Sequence, residues 1–180
     1  MSKAAALLIP VTEMQPPATR PSVMSAVLPI MGVVLIGFLV IGLALPVLPL
    51  HVSRGLGFGA FVVGLVTGSQ FVASLVSRVW AGYFADRKGP KNGVVAGLFA
   101  AAASGLLYLL SLALSSPAAS VSVVLLGRAV LGGAEGFIIT GAVSWGLALV
   151  GPQGAGRIIA WVGTAMFAAL AVGAPVGTML

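Results

Sequence analysis

Gly82-Tyr83-Phe84-Ala85-Asp86-Arg87-Lys88-Gly89-Pro90-Lys91 gathers four charged side chains into one short stretch, in a chain of 180 residues with only nine basic and three acidic ones. On both sides the sequence is apolar for long distances. Overall 59% of residues are hydrophobic and 7% charged, and the mean hydropathy is +1.17. A soluble domain carries charge on about a quarter of its residues. This composition belongs to a bundle of membrane helices, with the charged stretch read as a turn in water between two of them.

Working outward, the charges divide the chain into uncharged runs at Pro21–Ser53, Gly55–Ser77 and Asn92–Gly127. Lipid offers no hydrogen-bonding partner to the backbone, so apolar segments of about 20 residues cross as helices. Asn92–Gly127 is too long for one crossing, and Ser115-Ser116-Pro117 inside it reads as a turn. The resulting expectation is an all-α membrane protein with five transmembrane helices, near 25–46, 60–81, 92–114, 121–147 and 158–180. Nothing in the pattern suggests a β-barrel, whose strands alternate apolar and polar residues. Residues 1–24, with Pro10, Pro16, Pro17 and Pro21, read as a disordered cytoplasmic tail. The last apolar run reaches Leu180 without a polar tail, so the sequence reads as a fragment, truncated before a sixth helix.

Orientation follows from the basic residues. An N-terminus in the cytoplasm places Lys3, Arg20, Arg87, Lys88, Lys91 and Arg157 inside and only Arg54 outside, as the positive-inside rule requires. That bias accounts for the net charge of +6, so no nucleic-acid partner is expected. Trp80, Tyr83, Trp145 and Trp161 fall near helix ends, where they serve either as interface anchors or as packing residues. Arg78 reads as a snorkelling side chain, and the lone His51 as an interfacial residue rather than a metal ligand. The chain has no cysteine. No cofactor or metal site is expected. A membrane enzyme would need a nucleophile–base pair or clustered acids, and outside the tail there are only Asp86, Glu135 and a distant His51.

Two further features remain. Gln70, Ser74 and Ser77 form a polar stripe on the second helix, suited to helix–helix hydrogen bonds. Arg128 and Glu135 lie inside the fourth apolar run, where ionisable groups are costly and face an interior or a watery cavity. Seven residues apart, they share a helix face at a rise of about 10 Å. Arg128 either serves a cavity or anchors packing through backbone carbonyls. Glu135 is a proton or substrate carboxylate, or else the partner of a basic residue elsewhere in a longer protein.

The spacing Gly82-x-x-x-Asp86-Arg87-x-Gly89-x-Lys91 resembles the loop signature of the major facilitator superfamily (MFS) of transporters. Phe84 stands for the usual Leu, and Pro90 for a usual basic residue. The resemblance implies that Asp86 meets a helix N-terminus in the other half of the transporter, making this segment a conformational gating loop. A carboxylate there is favoured by the helix dipole. Arg128 and the residues after it resemble the fourth-helix motif Arg-x-x-Gln-Gly, linked in the family with proton coupling, with Leu131 where Gln is usual. Gly173, Pro175 and Gly177 are similar to the fifth-helix antiporter motif, a Gly/Pro kink.

On this resemblance the chain is the incomplete N-terminal six-helix half of an MFS fold, with residues 25–180 the truncated domain. It implies a secondary active transporter of the drug/proton antiporter-like branch in a bacterial inner membrane. That transporter exports a small organic molecule by alternating access, with the proton as coupling ion and Arg128 and Glu135 in its cavity. Its other partners are the lipid bilayer and the missing C-terminal helices. The alternative is a small structural or assembly membrane protein complete at 180 residues.

Overall fold

A computed structural model describes residues 23–179. Within it run five long helices: α1 (Val23–Leu50), α2 (Ala60–Lys88), α3 (Pro90–Leu112), α4 (Pro117–Val150) and α5 (Ala155–Met179). A π-helical turn, His51–Gly55, extends α1, and a single 3-10 turn, Pro152–Gly154, precedes α5. All five are long and apolar enough to cross a bilayer. The tail expected over residues 1–24 lies outside the described residues, apart from Val23 and Met24, which open α1.

The expected spans all correspond to helices, but several ends move outward. The largest difference concerns the charged stretch itself. Gly82–Lys88 is not a turn; it is the last part of α2. Nothing in Tyr83-Phe84-Ala85-Asp86-Arg87-Lys88 breaks a helix, and Arg87 and Lys88 in the last turn suit the negative end of the helix dipole. The reversal is made by Gly89 alone, at φ 90° and ψ 144°, which a side chain would strain. Pro90 then starts α3 at a position where its missing N–H is no loss.

α1 likewise continues through Pro46 and Pro49 and ends in the wider π turn, where Leu56 N donates to His51 O at 2.9 Å. Helix-interior proline is tolerated in membrane bundles because neighbouring helices stabilise the interrupted backbone. α4 begins at Pro117, capped by Ser116, whose hydroxyl accepts from Ala119 N at 3.5 Å. Ser120 adds a bond from its hydroxyl to Ser111 O at 2.8 Å, tying α4 back to α3.

α4 is the hub and packs on all four other helices. Its principal neighbours are α3 and α2, while α5 lies along α1. Glycine permits each close approach, the usual device where lipid supplies no hydrophobic drive between helices. On α4, a Cβ at Gly132 would overlap the Gln70 carbonyl of α2, and one at Gly136 would overlap the Ser77 hydroxyl. Gly97 and Gly141 do the same between α3 and α4. Gly173 lets α5 reach the backbone of Gly42 on α1, with an added Cβ only 2.9 Å from its Cα. The core joins Ile30, Val34 and Phe38 of α1 to Leu131 and Ile138 of α4 and Val162 of α5. Large apolar side chains such as Phe61, Val79, Phe99 and Phe167 remain exposed around the outside, as lipid-facing residues should be.

Candidate functional site

α4 carries both Arg128 and Glu135, and its neighbours determine their surroundings. Arg128 is 1% exposed. None of its three guanidinium nitrogens has a hydrogen-bond partner among the described residues. In particular, no backbone carbonyl among the described residues accepts from it.

Its electrostatic neighbours are Tyr108 of α3 and Glu135 of α4. The Tyr108 hydroxyl is buried near the guanidinium and Ser104, short of full hydrogen-bonding geometry with any described residue. Gly127 makes this pairing possible: a Cβ there would come within 2.6 Å of the Tyr108 ring. Five donors on Arg128 and a phenol beside it thus form a buried, positively charged site with unused hydrogen-bonding capacity.

Glu135 is half-buried. Its Oε2 accepts from Gln70 Nε2 at 3.0 Å, across the α2–α4 crossing. The polar stripe on α2 therefore does make a helix–helix bond, through Gln70, while Ser77 donates to Ser74 O of its own helix at 3.0 Å. Leu131, in the position where the resembled motif has Gln, is fully buried in the core. The amide near these charged groups comes instead from Gln70, and it serves Glu135. Tyr108 escaped the sequence reading; its signal was a single phenol in an otherwise apolar run, followed by Gly127 at the helix position that admits its ring.

The charged stretch lies at the α2–α3 end of the bundle. Asp86, Arg87, Lys88 and Lys91 are exposed, and Gly82 and Gly89 half-exposed. Arg87 stacks on Tyr83 at 4.3 Å and Lys91 lies 5.8 Å from the Trp145 ring. Asn92 Nδ2 donates to Lys88 O at 2.6 Å. Asp86 makes no ion pair or side-chain hydrogen bond among the described residues. It continues a helix face formed by Gly64, Gly68, Val72, Leu75, Val79 and Gly82, which falls within an arc of about 100° by helical geometry. That face is open: a Cβ at Gly64, Gly68 or Gly82 would meet nothing within 4 Å.

At α5, Gly173 and Gly177 both turn toward α1, with Pro175 inside a helix that continues to Met179. A Cβ at Gly177 would overlap Leu43 O. His51 lies with Tyr108 along a groove of about 370 Å³ between α1 and α3, and its Nε2 has no partner among the described residues. Among these residues no cluster of three or more metal-ligating side chains occurs.

The described bundle thus consists of five membrane-length helices with a buried arginine on the central one. The family model of the Major Facilitator Superfamily matches residues 30–180. The chain belongs to that superfamily.

Its relatives are bacterial. An uncharacterized MFS-type transporter of Salmonella typhimurium strain LT2 is 40% identical over 166 residues, covering 92% of this chain and 43% of the relative. One from Pseudomonas aeruginosa strain PAO1 is 42% identical over 161 residues, covering 87% and 40%. One from Burkholderia mallei strain SAVP1 is 46% identical over 144 residues, covering 79% and 35%. The chain thus spans less than half the length of these curated relatives. No solved structure matches it. It is an integral membrane protein of a transporter family, not a member of an enzyme family.

Proposed function

We propose that this chain is part of a secondary active transporter that exports a small organic molecule in exchange for protons by alternating access. The observation that carries this reading is Arg128, buried at 1% exposure in the central helix with every guanidinium nitrogen unpartnered among the described residues. A buried charge kept without hydrogen bonds costs several kcal/mol or more. Its persistence on α4 is accounted for if a ligand or another part of the transporter meets those donors during the cycle. Glu135, about two turns along the same face, is then the exchangeable carboxylate. Both belong to one cavity at different depths.

The open face of α2 supports the gating role of Gly82, Asp86, Arg87, Gly89 and Lys91. Asp86 closes a row of small and apolar residues that nothing in the described chain covers, and its charge suits the N-terminus of a facing helix. The second half of the transporter is its proposed occupant, and Gly173, Pro175 and Gly177 the proposed flexing point of α5.

The packing also supports an inverted repeat. α2 lies on α4 as α5 lies on α1, while α3 covers a flank of α4 whose counterpart on α1 is the open groove lined by Val40, Val47 and His51. A sixth helix of the complete protein is the natural occupant of that groove.

The deciding experiment is transport in proteoliposomes by the complete protein under an imposed pH gradient. Glu135→Gln should abolish the pH-driven component while substrate exchange without a gradient persists. Wild-type proton-driven transport in that variant would end the coupling assignment. A cytoplasmic N-terminus further requires that cysteines at Lys88 and Arg157 react only from inside and one at Ser116 only from outside.

A further inference from the structure

The α2–α4 crossing contains a second group whose chemistry matches that of Glu135. Gln70 is 1% exposed. Its Nε2 donates to Glu135 Oε2 at 3.0 Å, and its Oε1 has no hydrogen-bond partner among the described residues. The Gln70 main chain is held against Gly132, where even a methyl group would overlap its carbonyl. The base of this side chain is therefore fixed, and the amide at its end has one face engaged and one free.

Few other groups compete for Glu135. Arg128 acts on it along α4. α2 buries only Gln70, Ser74 and Ser77 as polar residues. On α3, Tyr108 is the neighbour of Arg128, and within the α1 helix and the α5 segment after Arg157 there is no ionisable side chain.

A primary amide carries donors on nitrogen and lone pairs on oxygen. A carboxylate only accepts, whereas a protonated carboxyl also donates. We propose that Gln70 is a positioning residue for Glu135 in proton coupling. Its NH₂ holds the ionised carboxylate, and after a half-turn of the amide its oxygen accepts the O–H of the protonated acid. One proton adds to one carboxylate oxygen, and no other bond forms or breaks. The displaced NH₂ then has the Ser74 hydroxyl, buried one turn along α2 and without a partner of its own, as its acceptor.

The exchange keeps one hydrogen bond between Gln70 and Glu135 in both states, whereas losing it would leave a buried polar group unmatched, which is the expensive alternative. It also changes which atoms bridge α2 and α4 at a crossing too tight to absorb a shift by slack, so the proton state is transmitted to the helix pair. This inference rests on Glu135 as the proton carrier, and the test separates the two.

The complete transporter is compared as wild type, Glu135→Gln, Gln70→Met and Gln70→Asn, by pH-difference infrared spectroscopy and by the pH profile of gradient-driven transport. The protonated-carboxyl C=O band should be present in wild type and absent in Glu135→Gln. In Gln70→Met, which keeps volume without hydrogen bonds, the band should persist at higher frequency. Because the bond to the charged state is the stronger of the two, the transport profile should move alkaline by about half to one pH unit. Substrate exchange without a gradient should stay within about twofold, since Met keeps the side-chain volume and removes only the bond to the coupling carboxylate.

A wild-type band and profile in folded Gln70→Met would overturn the role of Gln70 and leave Glu135 standing. A band that survives Glu135→Gln would overturn both. If Gln70→Met fails to fold, Gln70→Asn, still polar but one methylene too short to reach, carries the same two readouts.

Discussion

Along α2, Val66, Gln70, Ser74, Ser77, Ala81 and Ala85 are buried against the bundle, whereas Gly64, Phe71, Val72, Leu75, Val79 and Asp86 are exposed on the other side. Both faces hold small residues that would let a helix approach closely. On the inner face the approach has been made: Gly132 and Gly136 of α4 press against the α2 backbone and Ser77. On the outer face the corresponding space is empty around Gly64, Gly68 and Gly82. The same residue type thus serves a contact already formed within the chain on one side and a surface without a partner on the other. A glycine in a membrane helix states that something comes close; only its surroundings state whether that neighbour is in the chain.

The contrast is broken most severely by one methyl group. Gly132→Ala should destabilise the protein by about 1–3 kcal/mol, because the added Cβ meets main chain that cannot rotate away. Thermal unfolding in detergent measures this, and an unchanged midpoint would deny that the crossing is tight.

Next in size is the charge chemistry that the inner crossing encloses. Arg128→Lys should lower proton-driven transport about tenfold or more, since an ammonium cannot present the guanidinium's fork of donors and each charged hydrogen bond contributes about 1.5–3 kcal/mol. Equal transport by both proteins would reduce Arg128 to packing.

The outer face yields smaller effects. Asp86→Asn in the complete transporter should shift the inward–outward equilibrium by about 0.3–2 kcal/mol, the range for a carboxylate at a helix N-terminus. It should therefore raise cytoplasmic and lower periplasmic accessibility of cavity cysteines. Unaltered accessibility would remove Asp86 from the gate. Smallest of all, Gly64→Ala should leave stability unchanged or raise it by up to about 1 kcal/mol, because it removes a helix-weakening glycine where there is room. A loss as large as that of Gly132→Ala would erase the distinction between the two faces.

Composition and charge spacing by themselves determined the number of helices and their apolar surroundings, because lipid accepts only long, uncharged, internally hydrogen-bonded segments. They also placed Arg128 and Glu135 together, since a seven-residue interval preserves a helix face whatever packs on it.

Sequence spacing did not reveal that Gly82–Lys88 continues α2. Charge marks water, not a turn, and the reversal depends on the single backbone state of Gly89. Nor did it pair Gln70 with Glu135, which are 65 positions apart, or bring Tyr108 to Arg128. Those meetings are decided by which helix lies on which, and that choice is made by glycines whose neighbours are distant in the chain. Tertiary packing therefore decided the chemistry of the site, while the one-dimensional pattern decided the bundle that contains it.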